Sequence, residues 1–271
     1  MQAPDSALAE VVAAGRAGNK ESALSVIACG YRGYEKVSET VPTPPKPSKT
    51  RAAANGGYRK GEETRQRILD AALKAFGEAS FKAVTTRHLA KAAAVSLPTL
   101  QYYFGDKEGL YRACAEALVE RYRSHTGAAA REAREALQKD STAEAARHRL
   151  KTLIRALAGF LVGTKEAQRW APFVARELRD PGPAFEILYQ RLWQPGVDVT
   201  ARLVARVLGV AETDPGARIR ALLLISSVLT FQSGRSIALR TMRWSSIGPD
   251  ELAQVLSSLD AQIDTIGANR S

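Results

Sequence analysis

The stretch VTTRHLAKAAAVSLPTLQYYFGDKEGLY, residues 84–111, predicts two short helices joined by a tight turn. Thr85 occupies the N-cap position of the first helix, and Ser96 occupies that of the second. Pro98 suits the first turn of the second helix, because amides in a first turn have no acceptor within the helix. The short connection between the two helices therefore predicts a helix-turn-helix at about residues 85–104.

Three consecutive aromatic residues, Tyr102, Tyr103 and Phe104, end the second of these helices. A helix points consecutive side chains in different directions, so at least one ring must face away from the core. We expect Phe104 to pack inward with Val95 and Leu100. The two tyrosines have two interpretations: they pack against the preceding helix, or their hydroxyls reach DNA phosphates while the first turns of the helix meet base edges.

The flanking sequence is also helical. Apolar residues recur with helical spacing from Ile68 to Phe76, which predicts a first helix from Glu62 to about residue 79. Asp106 is placed to cap a fourth helix from Lys107 to about residue 123. The remainder predicts five or six helices, with a loop at Gly127 among others, and no strand pattern competes. We therefore expect an all-α fold, with an N-terminal three-helix helix-turn-helix DNA-binding domain and a C-terminal helical bundle for dimerisation and ligand sensing.

Charge favours a polyanionic partner. The 271 residues carry a formal net charge of +11, and residues 44–123 hold 15 basic and 8 acidic residues. Cys29 and Cys114 form no CxxC motif, and the three histidines are isolated from one another, so we expect neither a disulfide scaffold nor a metal site. No phosphate-binding loop, GxSxG or HExxH motif is present, and we expect no enzyme and no cofactor. The longest apolar run, residues 221–231, is too short to span a membrane, so we expect a cytoplasmic protein without a membrane role.

Residues 1–57 form an extension whose role the sequence leaves open. Four prolines lie within residues 42–47, and a Gly-Gly pair follows at residues 56–57. One interpretation is a disordered tail, because few apolar side chains offset the entropy of ordering. The other is a basic arm that adds phosphate contacts through five cationic residues: Lys46, Lys49, Arg51, Arg59 and Lys60.

The segment from about Glu62 to Arg121 resembles the TetR family of transcriptional repressors. The resemblance rests on TRQRILDAALKAFGE, VTTRHLAKAAAVS, TLQYYF and DKEGLYRA, in that order and at the spacing of the family. A later stretch, FVARELRDPGPAFEILY, is similar to the CecR-like branch. The resemblance implies a homodimer that binds a pseudo-palindromic double-stranded operator and releases it when a small-molecule inducer binds. It implies a DNA-binding domain at residues 58–122 and a ligand-binding and dimerisation domain at residues 123–271.

The resemblance also implies which residues contact DNA: Thr86, Arg87, Leu97, Pro98, Thr99, Gln101, Tyr102, Tyr103 and Lys107. Lys107 matches the phosphate-binding lysine of the family, and a lysine in a first turn opposes the helix dipole, so stability alone does not favour it. Gln101 stands where the family often has tyrosine, and its amide can read adenine through N6 and N7. Ser80 and Ala94 replace common glycines, at a cost of about 1 kcal/mol wherever the backbone is left-handed.

The C-terminal aromatic residues are mostly core candidates, and a subset is predicted to line a pocket for a largely apolar or aromatic effector. The predicted ligand-binding residues are Phe160, Trp170, Phe173, Arg176, Tyr189, Trp193, Phe231 and Arg235. Four polar residues lie among apolar ones and have two interpretations, as anchors for a polar group of the ligand or as residues on solvated faces: Arg176, Glu177, Gln232 and Arg235. The helix over residues 217–229 and the next one, ending near Arg240, form the predicted dimer interface. The competing class is a non-sequence-specific nucleic-acid-binding or interaction protein.

Overall fold

Every element of regular structure in the described part of the chain is a helix. The computed structural model describes the backbone of residues 54–139 and 142–267, and the side chains of those residues from Arg59 onward. These residues contain no strand, and the predicted all-α fold is confirmed. The helices are α1 (Ala54–Glu78), α2 (Thr86–Ala92), α3 (Leu97–Phe104), α4 (Lys107–Gln138), α5 (Ala143–Gly163), α6 (Lys165–Arg179), α7 (Phe185–Leu188), a π-helix (Tyr189–Trp193), α8 (Gln194–Leu208), α9 (Pro215–Gln232), α10 (Arg235–Met242) and α11 (Pro249–Asp264).

The helix-turn-helix is formed by α2 and α3, and both predicted caps are present. The hydroxyl of Thr85 accepts a hydrogen bond from the amide of His88 at 3.2 Å. The hydroxyl of Ser96 accepts one from the amide of Thr99, also at 3.2 Å. Each bond satisfies a first-turn amide that has no acceptor within its helix, which is why α2 and α3 begin where the sequence predicts.

The N-terminal helices share a core with the start of α4. The apolar stripe of α1 is buried, with Ile68 and Phe76 at most 1% exposed, and it meets Leu100 of α3 and Leu110 of α4. Burying a side chain of this size contributes roughly 1.5–3 kcal/mol. A side chain at Gly109 would collide with the carbonyl oxygen of residue 104, so glycine permits the close approach of α4 to the end of α3.

Two helices are longer than the sequence predicted. The fourth helix was expected to end near residue 123, but α4 continues to Gln138, and the predicted loop at Gly127 is wrong. A glycine weakens a helix by only about 1 kcal/mol, and neighbouring α5 supports α4 along this length. The first helix is longer at its N-terminus, because α1 begins at Ala54 rather than at Glu62, and residues 54–57 belong to its first turn. The rest of the predicted extension, residues 1–53, lies outside the described residues.

The C-terminal helices surround α5, which packs against α4, α8, α9 and α11. Long-range hydrogen bonds close this bundle. The guanidinium group of Arg147 on α5 donates to the carbonyl oxygens of Ile263 at 2.6 Å and Ile266 at 2.9 Å. Ile263 lies in the last turn of α11 and Ile266 lies just beyond it, so Arg147 joins α5 to the C-terminal end of a helix that is distant in sequence.

Pro195 follows Trp193 by two residues, and a proline kinks or ends a helix that it would otherwise interrupt. Residues 189–193 form a π-helix, and α8 begins at Gln194, so Pro195 lies in the first turn of α8. A proline disrupts the regular hydrogen bonding of the turn before it, and the wider π turn accommodates this disruption.

The two predicted domains are not separated by a gap in the packing. Helix α4 runs through the expected boundary at residues 122 and 123, and Trp170 and Phe173 of α6 belong to the same core as α1. The chain from Ala52 onward forms one compact unit. Any movement of α6 would therefore act directly on the N-terminal helices.

Within residues 54–139 and 142–267, no single helix has the length and apolar character needed to cross a membrane. The helices α9 and α10, which are bent by 76° relative to each other, together have the length and apolar composition of a membrane span, and only these two properties suggest one.

Candidate DNA-binding surface and sensor residues

Helix α3 exposes one of its three aromatic side chains far more than the others. Tyr102 is 84% exposed, whereas Tyr103 and Phe104 are half-buried and pack against the N-terminal core. Position Gly61 of α1 lies close to Tyr103, since a Cβ atom there would be 3.4 Å from the tyrosine Oη. The guanidinium of Arg65 lies 5.6 Å from the centre of the Phe104 ring. Tyr102 is thus available for an external contact.

The other predicted DNA-binding residues of α2 and α3 differ in exposure. Arg87, Pro98 and Gln101 are exposed, and Thr86, Leu97 and Thr99 are half-buried. The hydroxyl of Thr99 lies 2.7 Å from that of Ser96, within the cap of α3. The orientation of α2 is fixed by Arg67 of α1, whose Nε donates to the carbonyl oxygen of Ala93 at 3.1 Å. The DNA-binding roles of the predicted residues on α2 and α3 stay predictions.

Lys107 has internal partners that the sequence did not reveal. Its Nζ donates to the carbonyl oxygens of Phe81 at 3.0 Å and Val84 at 3.2 Å, and it lies 4.4 Å from the centre of the Phe81 ring. The ammonium group therefore ties the start of α4 to the loop between α1 and α2. These two bonds use two of its three protons, and the third is left for the predicted phosphate contact.

A buried polar cluster joins α6 to the N-terminal helices. Glu177 is 1% exposed, and its carboxylate accepts hydrogen bonds from the Tyr111 hydroxyl at 2.5 Å and from the amide of Gly182 at 3.2 Å. Arg176, beside it, donates from Nη2 to the carbonyl oxygens of Gly77 and Glu78, at 3.2 and 3.3 Å, and so caps the C-terminus of α1. Sequence reasoning missed Tyr111, and it proposed Arg176 and Glu177 only as ligand anchors or residues on solvated faces.

Burial changes the titration of this cluster. Desolvation raises the pKa of the Glu177 carboxyl above its usual range, although the hydrogen bonds from Tyr111 and Gly182 oppose the rise. Burial also raises the pKa of the Tyr111 phenol, and the bond to Glu177 adds to this effect. The Tyr111 phenol therefore stays protonated at neutral pH and donates its hydrogen bond to Glu177.

The predicted ligand-binding side chains do not form one lining. Phe160, Trp170 and Phe173 are buried, and the Phe173 ring packs 5.0 Å from that of Tyr111 at the junction with the N-terminal helices. Phe173 therefore has a structural contact that its prediction as a pocket residue did not include. His125, which the prediction omitted, stacks on Phe160 with ring centres 4.4 Å apart.

The other predicted ligand-binding residues lie elsewhere in the C-terminal part of the chain. Tyr189 is 43% exposed and stacks on Phe185, against which Trp193 also packs. Phe231 lies at the edge of the C-terminal core. Arg235 donates from Nη1 to the carbonyl oxygen of Val162 at 3.2 Å, near the end of α5, rather than lying on a solvated face.

Helices α9 and α10 expose large apolar side chains. Monomeric surfaces carry single exposed apolar residues, but a cluster indicates an interaction surface. The exposed members on these two helices are Ile219, Leu222, Leu223, Ile237 and Met242. We call them the α9–α10 face.

The fold and these surfaces define a helix-turn-helix DNA-binding protein with a helical C-terminal domain. Residues 68–114 match the sequence model of the tetR family of bacterial regulatory proteins, and residues 146–269 match that of the C-terminal domain of the transcriptional dual regulator CecR. The chain therefore combines an N-terminal DNA-binding domain of the TetR family with a C-terminal domain of the CecR type.

Three similar proteins show the extent of the match. The dual regulator CecR of Shigella flexneri is 28% identical over 213 residues, which cover 76% of this chain and 92% of CecR. The regulatory protein RaaS of Mycobacterium tuberculosis is 43% identical over 63 residues, which cover 23% of this chain and 29% of RaaS. The structure of AibR, determined with isovaleryl coenzyme A and operator DNA, is 14% identical with a TM-score of 0.50, and the match covers 73% of this chain and 97% of AibR.

Proposed function

We propose that this chain is a cytoplasmic, homodimeric repressor that leaves a pseudo-palindromic operator when a largely apolar or aromatic small molecule binds its C-terminal domain. The observation that carries the DNA-binding part is the outer surface of α3. Gln101 and Tyr102 are exposed there, whereas the preceding residue, Leu100, is fully buried and packs α3 against the core. A rigid helix with polar and aromatic groups on its free side is suited to a major groove.

The α9–α10 face supports the homodimer. An interface with two-fold symmetry uses the same patch on both subunits, so the patch must be able to pack against itself. Aliphatic side chains such as Leu222, Leu223 and Ile237 meet this requirement without charged groups that would repel their copies. One helix-turn-helix contacts only a few base pairs, and a dimer supplies the second half-site.

The packing of α6 on α1 supports the coupling between ligand and DNA. A ligand releases DNA only if it favours an arrangement in which the two recognition helices no longer fit both half-sites. Helix α4 is one connection, since it starts beside α3 and continues into the C-terminal domain. Helix α6 is a second, because Arg176 and Glu177 bond directly to α1 and α4.

Mapping of bound DNA across the genome, followed by footprinting, tests the proposal. We expect a discrete pseudo-palindrome whose half-sites lie about 34–36 Å apart, or a multiple of that distance. Diffuse protection would instead support a non-sequence-specific nucleic-acid-binding protein. Reporter expression in a deletion strain then separates repression from activation, which matters because the similar CecR protein is described as a dual regulator.

Gln101→Ala tests the placement of α3 in the groove. We expect it to relax preference at one base position of each half-site by roughly 1–3 kcal/mol, because an amide that reads adenine makes two bonds to a single base. Competition binding with a set of singly substituted operators measures this preference. A uniform decrease in affinity for all sequences would contradict the assignment of Gln101 as a base-reading residue.

A further inference from the structure

The start of α1 lies beside the end of the recognition helix α3. A Cβ atom at Gly61 would be 3.4 Å from the Oη of Tyr103, and the guanidinium of Arg65, one turn later, lies over the ring of Phe104. The turns of α1 that precede Gly61 therefore extend past the hydroxyl end of Tyr103. These turns also precede the residues that match the tetR family model, which begin at Ile68.

Two cationic residues lie at this level of α1. Lys60 and Arg59 precede Gly61 by one and two residues, so they lie within about 3 Å of it along the helix axis. Both are exposed. Because their side chains are long and flexible, their charged groups extend away from the α1 backbone into solvent.

Neither residue is strongly held by a neighbour. Arg59 lies 3.6 Å from the carboxylate of Glu63, with the two side chains 84% and 67% exposed, and such a surface pair contributes little stability. Among the described side chains, none presents a carboxylate in an ion pair with Lys60, and nearby Glu62 lies 4.0 Å from Arg65. A phosphate can therefore compete for both cations.

We propose that Lys60 and Arg59 are additional phosphate-binding residues, through which each subunit contacts the DNA backbone beyond the helix-turn-helix. The contact is to phosphate, and so it adds affinity without reading sequence. This inference rests on the proposed DNA-binding function. It selects Arg59 and Lys60 from the basic arm that the sequence left as one interpretation, because these two residues lie on α1 beside the recognition helix.

The test uses the full-length chain with Arg59→Ala and Lys60→Ala combined. Alanine is the best helix former, so α1 should be retained, and thermal unfolding checks this. Binding is measured between about 50 and 200 mM salt, both to an operator fragment found by footprinting and to a duplex of arbitrary sequence. On both DNAs, the slope of log K against log salt should fall by about 0.9 for each phosphate that the variant no longer neutralises.

A matched control removes the same charge far from the DNA. Arg131 is paired with Glu135 at 4.0 Å, in the same spacing as Arg59 with Glu63, and Arg134 is exposed nearby. Position 131 is 24 residues after Lys107, roughly 36 Å along α4. Arg131→Ala with Arg134→Ala should leave the slope close to the wild-type value, and exchanging the cations as Arg59→Lys with Lys60→Arg should preserve it.

The outcomes separate the inference from the proposed function. An unchanged slope in the alanine variant, with wild-type protein that still selects its operator, would overturn the phosphate-binding role alone. An equal fall in the Arg131 and Arg134 control would assign the effect to net charge and would also overturn that role. A wild-type protein that selects no sequence would overturn the proposed regulator, whereas a lower slope specific to the Arg59 and Lys60 variant would still support phosphate binding by these two residues.

Discussion

The helix-turn-helix and the C-terminal domain differ in how far their polar side chains reach for partners. In α2 and α3, the caps Thr85 and Ser96 bond to amides three residues away. In the C-terminal domain, Arg176 bonds to a carbonyl 99 residues away, and Arg147 bonds to one 116 residues away. Local bonds follow from local sequence, whereas long-range bonds depend on the finished packing.

The same difference divides the exposed and buried aromatic residues. Tyr102 on α3 is 84% exposed, and its function depends on what it meets outside the molecule. Phe173 on α6 is fully buried against Tyr111, where it holds the two parts of the chain together. Substitutions in the two regions should therefore affect different measurements, DNA binding in the first case and stability in the second.

The largest expected effect is that of Phe173→Ala. Removing a fully buried ring leaves a cavity, and we expect the free energy of unfolding to fall by roughly 3–5 kcal/mol. Denaturant titration measures it. Tyr102→Ala is the matched control, which should lower stability by less than about 0.5 kcal/mol but weaken DNA binding. Similar decreases in stability for both variants would remove the contrast between the two regions.

Lys107→Ala should give the next largest effect, and it combines both kinds of role. Removal of the bonds to the carbonyls of Phe81 and Val84 should lower stability by roughly 1.5–3 kcal/mol. If the remaining proton binds phosphate, the salt slope should also fall by about 1 per subunit. Thermal unfolding and salt-dependent binding separate the two roles. A stable variant with an unchanged salt slope would contradict both.

Sequence reasoning succeeded where neighbouring residues decide the structure. The bounds of α2 and α3 follow from Thr85, Ser96 and Pro98, which act within one helical turn. It failed for the end of α4, because Gly127 resembles a helix break only when the supporting packing against α5 is ignored.

The candidate sites follow the same rule. Three consecutive aromatic residues on one helix predicted that at least one ring is exposed, but they did not identify it as Tyr102. The bonds of Arg176 to α1 and of Arg235 to α5 were not foreseeable, because their acceptors are backbone carbonyls at helix ends far along the chain. A carbonyl carries no residue-specific signal, so both arginines resembled ligand anchors or solvated residues.

Glu177→Gln tests the buried cluster through pH. The pKa of the folded carboxyl is raised, so the folded state binds more protons than the unfolded state between the two pKa values. Wild-type stability should therefore fall as pH rises from the ordinary range of glutamate through the raised pKa. The variant should lack this component and, because the amide keeps an acceptor for Tyr111, differ at acidic pH by no more than about 1 kcal/mol.

Unfolding titrations at several pH values measure the effect of Glu177→Gln. Glu120→Gln is the control, because Glu120 is exposed on α4 and should leave the pH profile unchanged. The wild-type stability could instead rise with pH over this window, or the fall with pH could persist in the Glu177 variant. Either result would show that the cluster does not titrate as its burial implies.

The smallest expected effect is that of Ala94→Gly in the turn between α2 and α3. Ala94 has a φ of 52°, and its neighbours close the end of α2 through a bond from the Val95 amide to the Ala90 carbonyl at 3.0 Å. The left-handed conformation costs a non-glycine residue about 1–2 kcal/mol, and glycine avoids this cost. Glycine also has more conformational freedom in the unfolded state, which offsets about 0.5–1 kcal/mol of the gain. We therefore expect a net gain in stability of roughly 0.5–1 kcal/mol by denaturant titration. Ala92→Gly, at the exposed last residue of α2, should instead destabilise by about 0.5–1 kcal/mol, and an equal destabilisation by Ala94→Gly would mean that the turn is not strained.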